Sequence, residues 1–249
     1  MIYIRSQEEI GKMRESNRIV AETIHILGLE IKPGIQTGKL DKIADEYIRS
    51  RGTNPAFKGY RGYPASICIS IDEEVVHGIP SKRELRAGQI VSVDVGAEKD
   101  GYYGDSAYTF AVGEVSETKK HLMQVTKDSL YKGIEKALPG KHLSDIGNAV
   151  QSYVEMNGFS VVRDMVGHGI GQRLHESPEV PNYGDPGKGP ILRPGMCLAI
   201  EPMVNAGTFE VYVLDNGWTI VTADHQPSAH YEHTIAITET GPVILSVSE

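Results

Sequence analysis

The chain has 249 residues, with 25 Lys+Arg against 33 Asp+Glu, 9 His and 2 Cys. The net charge of −8 argues against DNA or RNA as the main partner, because phosphate contacts demand excess Lys/Arg. The lone cysteines, Cys68 and Cys197, make neither a CxxC motif nor a disulfide framework. At roughly 100–200 residues per domain the length fits one large domain or two modest ones, with no need of a disulfide or structural zinc to fold. The opening MIYIRSQEEI holds no apolar signal stretch, and no run of about 18 apolar residues occurs anywhere. The sequence reads as a soluble, cytoplasmic protein of a reducing compartment, with no membrane partner.

Ser6-Gln7-Glu8-Glu9 has the capping-box form, Ser with Glu three residues later, and opens a helix. Ile10, Met13, Asn17, Val20, Ile24 and Leu27 recur at helical spacing, with Lys12, Arg14 and Glu15 on the other side. Pro33-Gly34 breaks the chain. A second helix carries Leu40, Ile43, Ala44, Tyr47 and Ile48 on one stripe and stops at Gly52. A turn-rich segment, 54–64, holds Phe57, Tyr60 and Tyr63, and β-branched runs at 66–71, 90–95 and 108–112 read as strands.

The second half repeats this order. PGIQTGKLDKIADEYIRSRG at 33–52 aligns with PGKHLSDIGNAVQSYVEMNG at 139–158, an offset of 106 (139 − 33). LRAGQIVSVD at 85–94 aligns with LRPGMCLAIE at 192–201, an offset of 107 (192 − 85). Each strand of the second pair ends in a carboxylate, Asp94 and Glu201. A period this long exceeds that of a solenoid repeat and points to two related halves, about 1–112 and 113–249, packed about a pseudo-two-fold. Equivalent strands from such halves are expected to meet in one sheet and bring Asp94 and Glu201 together.

Asp94 sits between two valines, Glu201 in Ala-Ile-Glu-Pro and Glu232 in Tyr-Glu-His-Thr-Ile. An ionised carboxylate in such a strand is costly to bury unless it is paired or holds a metal. Any one of them alone reads equally as an edge-strand acid reaching solvent. Three together, with Asp105 beyond Asp94 across a turn at 101–104, read as a convergence. The histidines fall in Val-His77-Gly-Ile-Pro and Val-Gly-His168-Gly-Ile-Gly, with Leu174-His175-Glu176 just after. The glycines around His168 make a helix improbable, so a strand and loop carry these imidazoles rather than an HExxH helix. His121, His142, His225 and His230 read as ordinary satisfied polar groups.

Hard oxygen donors with one imidazole suit divalent Mn, Fe, Co or Zn better than a thiolate site. Four carboxylates balance the charge of two such ions, and bridging carboxylates favour a pair about 3.5–4 Å apart. No P-loop, GxGxxG fingerprint or GxSxG elbow is present, so phosphoryl transfer, dinucleotide redox and serine hydrolysis lack support.

SICISIDEEVVHGIP, VSVDVGAEKDGYYGDSAYTF, VGHGIGQRLHESPEVPNYG, LRPGMCLAIEPM and YEHTIAIT resemble the signature segments of type I methionine aminopeptidase, over essentially all of residues 5–245. The resemblance implies the α+β pita-bread fold, two pseudo-symmetric halves around a curved antiparallel sheet flanked by helices, as a single catalytic domain. It implies hydrolytic removal of the initiator Met from nascent polypeptides when the next residue is small. Position by position, Asp94 would hold one ion, His168 and Glu201 the other, and Asp105 and Glu232 would bridge both. A hydroxide bridging the ions would attack the scissile carbonyl, with Glu201 as proton shuttle and His175 and His77 stabilising the reacting group. The family's pocket for the Met side chain matches Tyr60, Tyr63, Cys68 and Trp218. Phe57 stands where a Cys is frequent and Leu174 where an aromatic is frequent, so the pocket mouth is expected to be narrowed or reshaped. The chain starts directly at the first helix, without the zinc-binding extension or inserted subdomain of eukaryotic and type II members, which reads as a minimal bacterial-type enzyme. A monomer with transient ribosome contact is expected. Two further readings are an X-Pro peptidase on the same fold and a non-catalytic binding module; the first usually carries a large N-terminal domain, and the second typically lacks metal ligands that are all present here.

Overall fold

The computed structural model describes residues 1–247 and places a pair of helices ahead of each group of strands. The first group holds α1 (Gln7–Glu30), α2 (Thr37–Ser50), β1 (Asn54–Pro55), β2 (Ile67–Ile71), β3 (Glu74–Val76), β4 (Ile90–Lys99) and β5 (Tyr102–Ala111). The second holds α3 (Glu117–Lys136), α4 (Ser144–Met156), β6 (Ser160–Val161), β7 (Gly167–Gly169), β8 (Glu176–Val180), β9 (Cys197–Ile200), β10 (Met203–Asn205), β11 (Val211–Val213), β12 (Ile220–Thr222), β13 (Ser228–His230), β14 (His233–Thr238) and β15 (Gly241–Ile244). The starts of α2 and α4 and of β4 and β9 differ by 107 (144 − 37 and 197 − 90), so the sequence repeat is a repeat of elements. Residues 248 and 249 of the second half lie outside the described residues. Among the described residues no helix is long and apolar enough to cross a membrane.

The helices form for local reasons. Ser6 caps α1 with a reciprocal box, its hydroxyl accepting from Glu9 N at 3.2 Å while Ser6 N donates to Glu9 Oε2 at 2.8 Å. Ile10, Met13, Asn17, Val20, Ile24 and Leu27 are all buried. On α2, Leu40, Ala44 and Ile48 are buried while Ile43 and Tyr47 stay half-exposed, and the chain leaves through Gly52 at φ +69°.

Strand alternation then decides what faces what. Val91, Val93, Val95 and Ala97 of β4 pack into the core under α1 and α2, with Ile67, Ile69 and Ile71 of β2. Leu198, Ile200, Ile235 and Ile237 do the same under α3 and α4. The opposite faces carry Asp94 and Gly96 in the first half, and Ala199 and Thr234 in the second.

The two halves do not share one regular ladder. β4 pairs with β1, β2 and β5, whereas β9 pairs with β7 and β14, so Asp94 and the strand that leads to Glu201 lie in different sheets. The sheets abut along β5 and the run from β13 into β14. Glu232 N donates to Ala107 O at 2.9 Å, and hydroxyls make the other links: Ser106 Oγ to Glu232 O at 2.6 Å, Thr109 Oγ1 to His230 O at 2.7 Å and Thr234 Oγ1 to Asp105 O at 2.8 Å. These buried hydroxyls satisfy backbone groups that an interrupted ladder leaves over.

The hairpin joining β4 to β5 turns at Asp100-Gly101, both at positive φ (53° and 79°), rather than at 101–104. Gly104 lies inside β5, where α1 crosses so closely that a Cβ would stand 2.7 Å from Asn17 N. Backbone cannot yield as a side-chain tip can. Gly104→Ala is expected to cost about 1–3 kcal/mol, the range for overpacking, read as a lower midpoint in urea.

Candidate metal centre and substrate cavity

Register brings the acids together. Asp94 is opposite Ala107 and Gly96 is opposite Asp105, so Asp94 and Asp105 are diagonal neighbours on one face of the hairpin. Ile200 is opposite His233, which sets Glu201 and Glu232 across from each other just past the ends of β9 and β14. His168 pairs with Ala199, two residues before Glu201. His168 Nε2 is 3.4 Å from Glu201 Oε1 and 3.9 Å from Asp105 Oδ2. Asp105, His168 and Glu232 each present a ligand atom, the three lying within 4.8 Å of one another.

Burial makes this cluster electrostatically unbalanced. Removal from water pushes Asp94 up to about 7 and raises Asp105, Glu201 and Glu232 well above the ordinary carboxylate range, with the neighbouring acids adding to the last three. Burial also lowers His168 to about 4, so its imidazole is neutral at pH 7. His168 Nδ1 lies 2.9 Å from Gly169 O, a contact that assigns the proton to Nδ1 and leaves the Nε2 lone pair free.

Asp94 Oδ1, Asp105 Oδ1 and Glu232 Oε1 are buried with no hydrogen-bond partner. Orphaned acceptors in one hollow, beside an imidazole lone pair, are what divalent cations satisfy. The donor set therefore fits a metal site.

The same hollow is the floor of a cavity of about 600 Å³ walled by Phe57, Tyr60, Tyr63, Cys68, Leu174 and Trp218. Cys68 is opposite Asp94 on β2, which puts it between the acids and the apolar wall. Tyr63 donates to Gly78 O at 2.9 Å and meets Trp218 edge-on, ring centroids 5.2 Å apart. Phe57 is buried in the cavity wall, where a Cβ on Gly96 would stand 2.5 Å from its ring. Leu174 is also buried.

Two further histidines face this space. His175 Nδ1 is 2.9 Å from Tyr60 OH, its ring stacks on Tyr60 and it stands 4.2 Å from the His168 ring. His77 sits at φ +60°, a conformation uncommon outside glycine that turns its side chain to the cavity. Desolvation in the cavity lowers both imidazoles, so both are neutral at pH 7.

The histidines read as ordinary divide. His142 Nδ1 is 3.0 Å from Gly189 O, while His121 and His225 rest on Phe159 and Tyr212. His230 differs: its Nε2 is buried, has no partner and lies 3.8 Å from Glu201 Oε2. The signal available in sequence was its position two residues before Glu232.

The raised carboxylates set a pH dependence. Each holds a proton in the folded state that the unfolded chain releases near pH 4, so their contribution to metal-free stability is full below that pH and is lost as pH rises through about 7, where Asp94 ionises. Divalent ions relieve this loss. The rise in melting temperature on adding Mn²⁺ is expected to be larger at pH 7.5 than at pH 5.5; equal rises would contradict the cluster's being the site.

Comparison with known proteins agrees with this geometry. The model for metallopeptidase family M24 matches residues 11–239. Methionine aminopeptidase 1 of Bacillus subtilis is 56% identical over 246 residues, covering 99% of each chain. The crystal structure of methionine aminopeptidase from Thermotoga maritima superposes with a TM-score of 0.98 at 47% identity, over 100% of both chains. The prolidase of Pyrococcus horikoshii shares the fold at a TM-score of 0.81 and 23% identity, over 99% of this chain and 64% of that one. The chain belongs to metallopeptidase family M24 and, within it, to the methionine aminopeptidases.

Proposed function

We propose that this chain hydrolyses the peptide bond after an N-terminal methionine, acting on nascent polypeptides whose second residue is small. The observation that carries this reading is a cavity of about 600 Å³ whose floor is a cluster of buried acids and whose wall includes Phe57, Tyr60, Tyr63, Cys68, Leu174 and Trp218. Aromatic rings and a thiol suit a flexible thioether side chain. The acidic floor suits a free terminal amine, which an interior peptide bond lacks, so the enzyme is an exopeptidase.

Asp94 would hold one divalent ion and His168 with Glu201 a second, with Asp105 and Glu232 shared. Bound there, such ions lower the pKa of a water and polarise a carbonyl; Co, Mn, Fe and Zn all match the donors. Glu201, which borders the cavity beside His168, carries the proton from the attacking water to the departing amine. His175, joined by His77, donates to the oxygen on which charge develops and to the leaving nitrogen. The wall residues Phe57, Tyr60, Tyr63, Cys68, Leu174 and Trp218 hold the methionine side chain and exclude water around it. The protein works in the cytoplasm as a single-domain monomer, and its net charge of −8 keeps ribosome contact transient.

Asp105→Ala is expected to abolish tight Mn²⁺ binding in calorimetry, because one residue of the shared set is gone. His175→Ala is expected to keep metal affinity and lose about 100-fold or more in kcat, the range for a lost oxyanion donor; normal turnover would reject its role. Substrate choice is read directly: release of free Met from Met-Ala-Ser is expected to exceed cleavage of an Ala-Pro peptide by at least about 100-fold. The reverse preference would assign an X-Pro peptidase.

A further inference from the structure

His175 rides on the loop 171–175, which ends at Glu176, the first residue of β8, and is held on the cavity side by buried Leu174. Its imidazole has one side-chain partner, the hydroxyl of half-exposed Tyr60. From behind, the loop meets Arg5, on the stretch that leads into α1. The Arg5 side chain is 5% exposed and that of Glu176 4%, and Arg5 Nη2 donates to both Glu176 oxygens at 2.6 Å. Arg5 Nη1 donates to Glu9 Oε1 at 3.4 Å, so one guanidinium spans two carboxylates. Glu176 Oε1 in turn accepts from Arg173 N at 3.1 Å, closing the loop's end on itself. At the loop's start, a Cβ on Gly171 would overlap the guanidinium. Arg5 is itself tethered, its backbone N donating to Gly195 O at 2.8 Å just before β9.

We propose that Arg5 is a positioning residue that acts through Glu176 to fix where His175 stands against the scissile group, a role that rests on the catalytic reading of His175 above. A planar guanidinium spans both acids and lies flat on the glycine. A lysine ammonium keeps the charge but has neither the reach of a fork nor its flat face.

The test compares Arg5→Lys and the apolar pair Arg5→Met/Glu176→Met, each in the natural chain and in a His175→Ala background. The double replacement removes both charges together, so it folds without leaving one buried and unpaired. Both are expected to lower kcat for Met-Ala-Ser about 10- to 100-fold, with KM and Mn²⁺ affinity within about twofold. In the His175→Ala background the same changes are expected to alter kcat less than about twofold, since residues acting as one unit are not additive. Amide exchange at 171–175 is expected to quicken, with the strands unchanged. Natural kcat in Arg5→Lys, or a loss undiminished when His175 is absent, overturns the proposal. Should the natural chain release no Met, the catalytic reading fails separately. The exchange data then decide the clamp: unchanged exchange at 171–175 overturns it, and quickened exchange confined there upholds it.

Discussion

Four carboxylates withdrawn from water into one hollow repel one another, and that repulsion is the constraint around which the molecule is built. Asp94, Asp105, Glu201 and Glu232 have their pKa values raised, and three of their oxygens have no partner. Protons or cations must balance them. At neutral pH, protons alone would cost the acids their charge, so the arrangement favours divalent ions. A fold that holds such a cluster must be stiff, because any freedom would let the acids separate into solvent.

Stiffness comes from placing each acid on or beside a strand whose other face is core. Val93 and Val95 are buried under α1 and α2, so Asp94 cannot turn away without dragging two valines into the open. The same holds for Glu201, preceded by buried Leu198 and Ile200. The hydroxyl links of Ser106, Thr109 and Thr234 then lock the two halves together at the level of Asp105 and Glu232. Gly104 permits the close crossing of α1, and Asn17 Oδ1 accepts from Asp105 N at 3.3 Å.

Much of this was legible in the sequence because periodicity and repetition are local. The capping box at Ser6, the helix stripes and the offset of 106–107 all read off residue order, and the duplicated pattern pointed to paired acids. What could not be read was how the halves join. The seam between β5 and β14 depends on three scattered hydroxyls, and serine and threonine in a strand carry no mark of what they will bond. The hairpin turn was misplaced for a related reason: Gly101 and Gly104 look alike in sequence, yet one supplies positive φ and the other makes room for a helix. His230 escaped notice because its distinction is a missing partner, which exists only in three dimensions.

Most of the rings that wall the cavity are held differently from the acids that form its floor. Tyr60 and Tyr63 lie in and just after a short 3-10 turn, His77 on a bend at positive φ, Leu174 and His175 on a loop, and Trp218 between β11 and β12. None of these residues sits in the ladders that fix Asp94, Asp105 or His168, whereas Cys68 does, opposite Asp94 on β2, and Phe57 packs on Gly96 of β4. Apart from those two, the wall can change shape without moving the acids. Freedom of this kind has a cost, since an imidazole on a loop needs a separate restraint. The buried pair of Arg5 and Glu176 lies against that loop on the side of α1. A rigid acidic floor with mostly separately anchored walls lets the cavity's shape vary on a fold that this chain shares with a prolidase at 23% identity.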